Sequence, residues 1–262
     1  MGAYDTALVR GVPASFTDAL RRQSGPALDV DRARRQHRAY VEVLAHAGYE
    51  IHEIAADEGY PDCVFIEDAA IVIGSTVVAT RSGAESRRGE VGPVIDELSA
   101  MFTVASVDPP GILDGGDVIH LGRTLYVGIT DRTNAEGVEQ LTRISKPLGV
   151  DVVTVEVHDA LHLKSVVLPL GADTVLVSPR SVDEEALKGL RIVYEPEVER
   201  HRTSALPLRD GGLMVTESTP ATAAMLTAAG FAVQPVDVSE LLAADGGLTC
   251  LSILYRGPPS LS

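Results

Sequence analysis

Charged and reactive side chains interrupt apolar runs of this 262-residue chain at a repeating interval. Glu67 and Asp68 sit in C-V-F-I-E-D-A-A-I-V-I, Asp114 opens D-G-G-D-V-I-H-L, His162 lies in A-L-H-L-K-S-V-V-L, and Cys250 lies in G-G-L-T-C-L-S-I-L. Asp68 and Asp114 are 46 residues apart, Asp114 and His162 are 48 apart, and His162 and Cys250 are 88 apart, close to two such steps. A period near 50 residues is that of solenoids and propellers, in which no single unit can bury its own apolar face. One structural position reused in successive units would aim these unlike groups at a common centre.

The unit reads as strand, tight turn, strand, helix, strand. One copy has an apolar run at 64–73, a turn at Gly74-Ser75, a β-branched strand at 76–80, helical spacing over 90–101 and a short strand at 104–107. The next has strands at 118–121 and 124–128 around Gly122-Arg123, a helix near 135–148 and a strand at 152–155. A third has strands at 163–170 and 174–177 around Gly171-Ala172, a helix over 182–190 and a strand at 191–194. A fourth pairs 206–208 with 213–216 around Asp210-Gly211-Gly212. Thr219 then reads as an N-cap with Pro220 at the first helical position, the helix ends at Gly230, and 232–236 is a strand. A fifth is split between the termini: 248–255 joins 4–9, the helix 30–47 and the strand 49–54. Closing five units into a ring removes free sheet edges. The expected fold is therefore a single α/β domain over 1–262, a five-fold ring of ββαβ units around a central active site.

With 22 Lys and Arg against 37 Asp and Glu, the formal charge is −15. That argues against nucleic acid, whose phosphates call for clustered cations, and fits a small cationic ligand. Arg32, Arg34, Arg35 and Arg38 read as a solvated helix face. Two cysteines make no disulfide framework, and no apolar stretch reaches a membrane-spanning length. The N-terminus shows no charged-then-apolar signal. Met1–Thr6 fits the loose myristoylation pattern, but Tyr4–Val9 reads better as a strand. A Gly257-Pro258-Pro259 tail closes the chain. A cytoplasmic protein, monomer or homodimer, that engages no membrane is expected.

Cys250 is the candidate nucleophile, because a thiolate can be stabilised by a histidine or a cationic substrate. A cysteine among apolar neighbours is also a common core residue, which is the reading given to Cys63. Asp114 beside His162 would fix its tautomer and support the imidazolium. His158 and His162 form H-x-x-x-H, but no glutamate occupies the second position and no third zinc ligand is at hand, so no metal and no cofactor are expected. Asp62, Glu67 and Asp68 crowd three carboxylates into seven residues and would repel without a cation between them. A guanidinium, planar and five-donor, suits them. An internal ion pair to an arginine is the alternative. Arg87 and Arg132, 45 residues apart after second strands, could clamp a substrate carboxylate bidentately from the rim, or be plain surface arginines.

The ordered set P-D-C-V-F-I-E-D, R-S-G-A-E-S-R-R, L-D-G-G-D-V, R-T-N, L-H-L-K-S and L-T-C resembles the dimethylarginine dimethylaminohydrolase family of the guanidino-group-modifying superfamily, along essentially the whole chain. The resemblance implies a five-bladed α/β propeller that hydrolyses asymmetric dimethylarginine and monomethylarginine to citrulline and the methylamine. By resemblance, Cys250 attacks the guanidinium carbon to give a thiouronium, His162 protonates the departing amine and then activates water, and Asp114 orients His162. Glu67 and Asp68 bind the guanidinium nitrogens, Asp62 meets the amino-acid end, and Arg87 and Arg132 hold the carboxylate. Leu20 and Ala244 offer backbone contacts. The chain departs from the family in having Asp114 where some relatives have Glu, Leu251 where a second Cys is frequent, and a lid segment at 12–20 of different length. A deiminase releasing ammonia from arginine or another guanidine uses the same triad. A non-catalytic guanidine binder is a third reading.

Overall fold

The computed structural model describes residues 4–201 and 204–257. Met1–Ala3 of the myristoylation pattern, and Pro258 and Pro259 of the tail, lie outside the described residues. In chain order the elements are β1 (Thr6–Arg10), α1 (Val30–His46), β2 (Glu50–Ile54), β3 (Ala70–Ile73), β4 (Thr76–Ala79), α2 (Val91–Leu98), β5 (Thr103–Ser106), β6 (Val118–Leu121), β7 (Thr124–Ile129), α3 (Ala135–Ser145) and β8 (Asp151–Glu156). Then come β9 (Val167–Pro169), β10 (Thr174–Val177), β11 (Arg191–Tyr194), β12 (Ala205–Pro207), β13 (Leu213–Thr216), α4 (Pro220–Ala228), β14 (Val233–Val236), α5 (Ser239–Leu242) and β15 (Ser252–Tyr255).

These strands form five three-stranded sheets: β15-β1-β2, β3-β4-β5, β6-β7-β8, β9-β10-β11 and β12-β13-β14. In each, the middle strand runs antiparallel to the first and parallel to the third. Two-residue links suffice for the antiparallel pairs β3–β4 and β6–β7, where Gly74 and Gly122 take up φ of 59° and 60°. The parallel pairs need a crossover, which explains why α1, α2, α3 and α4 fall between second and third strands. The split fifth unit is as expected: Thr6 pairs with Tyr255 on one side and Glu50 on the other.

By contacts the chain forms two compact units, one from 1–66 and 204–262, the other from 67–203. The core of the first gathers Ala7, Val9, Phe16, Tyr40, Leu44, Phe65, Met214 and Leu248. α1 buries Ala33, Gln36, His37, Tyr40 and Leu44 into it, while Arg32, Arg35 and Arg38 stay in solvent as expected. Arg34 of the same expected face is instead half-buried, its Nε donating to the Val12 carbonyl at 3.1 Å. Among the described residues of the second unit, one apolar cluster gathers around Ile119, Leu163, Val167 and Val175 and another around Ile73, Val78, Leu113 and Leu125.

Several expected elements are shorter. Only Ala70–Ile73 of the apolar run 64–73 is strand, and Ile66–Ala69 is a 3-10 turn. The run 163–170 likewise splits into the 3-10 turn Leu163–Ser165 and β9. Apolar runs alone do not separate a strand from a buried turn. The helix expected over 182–190 is only the 3-10 turn Glu184–Leu187, because Asp183 caps it and Gly189 follows within one turn. The helix expected over 90–101 spans Val91–Leu98. Thr219 precedes α4, yet its hydroxyl donates to the Thr216 carbonyl rather than accepting from the helix.

Candidate active site

The singled-out residues share a local structure. A 3-10 turn precedes the first strand in four of the five sheets: Ile66–Ala69, Gly115–Asp117, Leu163–Ser165 and Thr249–Leu251. Glu67, Asp68 and Cys250 lie inside their turns. Asp114 and His162 are the extended residues just ahead of theirs, with φ/ψ of −103/142° and −138/163°. The repeat therefore reuses a turn rather than one fixed register, which explains intervals of 46 and 48 instead of a single number.

Within the 67–203 unit, His162 is buried and its Nε2 lies 3.1 Å from Asp114 Oδ2 and 3.9 Å from Asp68 Oδ1. Burial by itself would lower the histidine's pKa. The negative charge of Asp68, the Asp114 hydrogen bond and the charges of Asp117 and Asp114 outweigh it and push it up to about 9. The imidazole is therefore held protonated at neutral pH. Asp68 shows the converse. Burial would raise its pKa, but His162 and Arg87, with the Arg87 and Gly116 hydrogen bonds, hold the carboxyl well below the usual carboxylate range.

Backbone economy makes this crowding possible. Gly116 N donates to Asp68 Oδ1 at 2.9 Å, and a Cβ at Gly116 would come 2.8 Å from both Asp68 Oδ1 and His162 Nδ1. A Cβ at Gly115 would come 2.0 Å from the Glu67 carbonyl oxygen. The two glycines between Asp114 and Asp117 are thus required by close approach, beyond the turn chemistry that D-G-G suggests.

Asp114 is fully buried. Its Oδ1 accepts from Gly83 N at 3.1 Å, while Oδ2 faces His162 and stands 3.6 Å from Arg132 Nη1. Arg132 Nη1 is buried with no hydrogen-bond partner among the described residues.

Arg87 departs from expectation. It is not a rim residue offering both donors to a ligand. It is 6% exposed, its Nη1 donates to Asp68 Oδ2 at 2.6 Å, and its Nε and Nη2 donate to Glu90 at 2.8–3.1 Å. Two carboxylates within reach of a buried guanidinium outcompete an exposed position, since an unpaired charge there is costly. The internal ion pair considered for the acidic cluster thus exists for Asp68. Glu67 pairs instead with a lysine, Lys164 Nζ at 2.6 Å from its Oε1.

In the other unit Leu20 and Asp62 come together. Leu20 N donates to both Asp62 oxygens at 3.1 and 3.3 Å, while the Leu20 side chain is 40% exposed. Asp62 is buried. Ala244 is buried at the end of α5, followed by Asp245 at φ 63°. Cys250 is half-buried against the apolar core, and its N donates to the Gly247 carbonyl at 3.2 Å. Cys63 is buried and its thiol donates to the Asp57 carbonyl, consistent with a core residue.

Asp68, Asp114 and His162 place ligand-type atoms within 4.8 Å of one another, a spacing an ion could bridge. Arg87 and the protonated His162 already balance these carboxylates. The residues overlooked in the sequence are Glu90, Asp117, Thr133 and Lys164. Asp117, Thr133 and Lys164 sit inside the motifs D-G-G-D, R-T-N and L-H-L-K-S, and Glu90 lies two residues past R-S-G-A-E-S-R-R, so the signal available was membership of those motifs or nearness to one.

Comparison with known proteins places the chain in a family. Residues 15–196 match the family described as N,N dimethylarginine dimethylhydrolase, eukaryotic. The N(G),N(G)-dimethylarginine dimethylaminohydrolase of Streptomyces coelicolor is 39% identical over 87% of this chain and 88% of its own. That of Pseudomonas aeruginosa is 31% identical over 95% and 98%. A solved structure of the Pseudomonas aeruginosa enzyme, a cysteine-to-serine mutant complexed with citrulline, superposes with a TM-score of 0.92 at 28% identity, over 97% of this chain and 100% of that one. The fold is accordingly the five-bladed α/β propeller, one three-stranded sheet to each blade. The chain belongs to the dimethylarginine dimethylaminohydrolase family.

Proposed function

We propose that this protein hydrolyses asymmetric dimethylarginine and monomethylarginine to citrulline and dimethylamine or methylamine. Membership of the hydrolase family supports the reading, and the observation that carries it is the buried His162 ring placed 3.1 Å from Asp114 Oδ2 and 3.9 Å from Asp68 Oδ1, which favours the protonated imidazole.

The chemistry needs an acid for the leaving amine and then a base for water. The Cys250 thiolate adds to the guanidinium carbon, forming the C–S bond. His162 gives its proton to the dimethylamine nitrogen, the C–N bond breaks, and dimethylamine departs to leave an S-alkylthiouronium. The now neutral His162 takes a proton from water, whose oxygen adds to the same carbon. The C–S bond breaks, the thiolate returns, and the added hydroxyl gives its proton to solvent, where it protonates the departed dimethylamine, leaving citrulline. Asp114 stabilises the imidazolium throughout. The cationic substrate itself favours the thiolate. Glu67 and Asp68 receive the guanidinium, Asp68 being anchored by Arg87. Asp62 meets the amino-acid end, and Leu20 and Ala244 contribute backbone groups. Arg132 takes the substrate carboxylate, since Arg87 is occupied by Asp68 and Glu90. These steps call for no cofactor.

The test resolves products: purified protein supplied with dimethylarginine yields citrulline and dimethylamine in equal amounts, and Cys250→Ser yields neither. Normal turnover by Cys250→Ser refutes the nucleophile. A second reading, an arginine deiminase, draws on a further likeness: a bifunctional arginine dihydrolase/ornithine cyclodeaminase of a Nostoc species is 25% identical over 87% of this chain and 34% of its own length. Ammonia released from unmethylated arginine, with no dimethylamine from dimethylarginine, would establish it. Hydrolase membership sets aside the non-catalytic guanidine binder. Among the described residues no helix is long and apolar enough to cross a membrane. A cytoplasmic protein acting as one catalytic domain, monomer or homodimer, completes the reading.

A further inference from the structure

Thr133 and Asp117 form a buried hydrogen-bonded bridge that reaches Asp114 through its own backbone N–H and His162 through the backbone N–H of its neighbour Leu163. Thr133 Oγ1 accepts from Asp114 N at 3.2 Å and donates to Asp117 Oδ2 at 2.6 Å. Asp117 Oδ2 accepts also from Thr130 Oγ1 at 2.7 Å, and its Oδ1 accepts from Leu163 N at 2.8 Å, the residue next to His162. Thr133, Asp117 and Asp114 are each 0% exposed. The chain thus runs Asp114 N, Thr133 hydroxyl, Asp117 carboxylate, Leu163 N, linking the residue ahead of one turn to the residue after His162 without water. Gly128 leaves room for it, since a Cβ there would lie 2.9 Å from Asp117 Oδ1.

We propose that Thr133 and Asp117 are positioning residues for the proton-transfer step, fixing the separation and orientation of Asp114 and His162 through their backbones. The inference rests on the reading of His162 as the acid and base of the reaction. A hydroxyl is required at 133 because one atom must accept from Asp114 N and donate to Asp117 at once. Valine has the shape and can do neither. Serine can do both. A carboxylate is required at 117 because three donors converge on its two oxygens, Thr130 Oγ1, Thr133 Oγ1 and Leu163 N. Burial raises its pKa above the ordinary carboxylate value, and the charge of His162 and these three hydrogen bonds oppose that rise. The guanidinium-binding acids are held by other partners, Asp68 by Arg87 and Gly116, and Glu67 by Lys164. Loss of the bridge therefore falls on turnover and spares substrate binding. Charged groups near the imidazole are Asp68, Asp114 and Asp117, with Arg87 behind Asp68 and Arg132 beside Asp114.

The experiment compares Thr133→Val, Thr133→Ser and Asp117→Asn in the full chain. Two readouts are used: kcat and KM for dimethylarginine, and the downfield proton resonance of the His162 ring N–H bonded to Asp114, which needs no substrate. Thr133→Val is expected to lower kcat about 30-fold with KM changed less than about threefold, an effect of the size given by small misplacements of reacting groups. It is also expected to shift or broaden the ring N–H signal, and Thr133→Ser is expected to restore both. Asp117→Asn, nearly isosteric, moves the same signal and lowers kcat should Thr133→Val fail to fold. Wild-type kcat with an unmoved ring N–H signal in Thr133→Val or Asp117→Asn overturns the proposal, as does equal damage by Thr133→Ser. A wild-type protein inactive on dimethylarginine overturns the functional reading instead, and the resonance still decides the bridge.

Discussion

The middle strands β7 and β10 end alike and are used differently. After β7 come Thr130 and Thr133; after β10 come Ser178 and Ser181, and both Thr133 and Ser181 are fully buried. In the first case the hydroxyls converge on Asp117, the residue immediately ahead of β6, and so reach the turn that carries Asp114. In the second, Ser178 donates to Glu195, just beyond β11, and Ser181 bonds the His201 ring. The difference lies in one position: β6 is preceded by Asp117, whereas β9 is preceded by the buried apolar Val166. A repeated hydroxyl pair is thus a general way of closing a strand end. It supports chemistry only where the residue before the first strand supplies an acceptor beside the site.

The largest test of this contrast removes what the β9 blade contributes through its turn. His162→Ala is expected to lower kcat at least about 10³-fold, read as citrulline formed per enzyme, because acid and base are both lost. Asp117→Ala and Glu195→Ala form the next pair. Each strands buried donors and is expected to cost about 3 kcal/mol by urea denaturation. Only Asp117→Ala should also depress kcat, and a Glu195→Ala variant as inactive would erase the distinction between the two strand ends. Gly116→Ala places a methyl against Asp68 and His162 and is expected to lower kcat about tenfold. Ser181→Ala, the counterpart of Thr133, is the smallest: about 1 kcal/mol of stability and kcat within about twofold.

Titration sharpens the comparison from another side. The pKa of His162 is raised in the folded state, from 6.5 to about 9, so its contribution to stability is full below pH 6.5 and is lost as pH rises through about 9. The urea midpoint of the native chain should therefore exceed that of His162→Asn by most at pH 6 and by least above pH 9. Buried His37 on α1 behaves oppositely. Burial, aided by the Arg38 charge, lowers its pKa to about 4, so stability from its neutral form is full above pH 6.5 and is lost as pH falls through about 4. A midpoint gap that grows with pH would contradict the reading of His162.

Much of this was legible in the sequence. The strands 118–121, 174–177, 191–194 and 213–216 coincide with β6, β10, β11 and β13, because β-branched runs closed by turn residues leave few alternatives. The split fifth sheet followed from counting units. The turns ahead of the first strands were not legible, since Val64-Phe65-Ile66 and Val166-Val167-Leu168 look the same whether the chain is extended or coiled. The pairing of Arg87 with Asp68 and Glu90 is hidden for a related reason. Its motif announces a cation, but the sequence says nothing of which carboxylate lies closest.

The period, the sheet pattern and the inventory of reactive groups follow from the order of residues alone, because hydrophobic alternation, turn residues and spacing are local properties of the chain. Which of those groups occupy one another depends on how the folded chain brings distant residues together. Ion pairs such as Asp68–Arg87, the raised pKa of His162 and the Thr133–Asp117 bridge depend on distances of about 3 Å between residues far apart in sequence, and on the burial that makes those distances count.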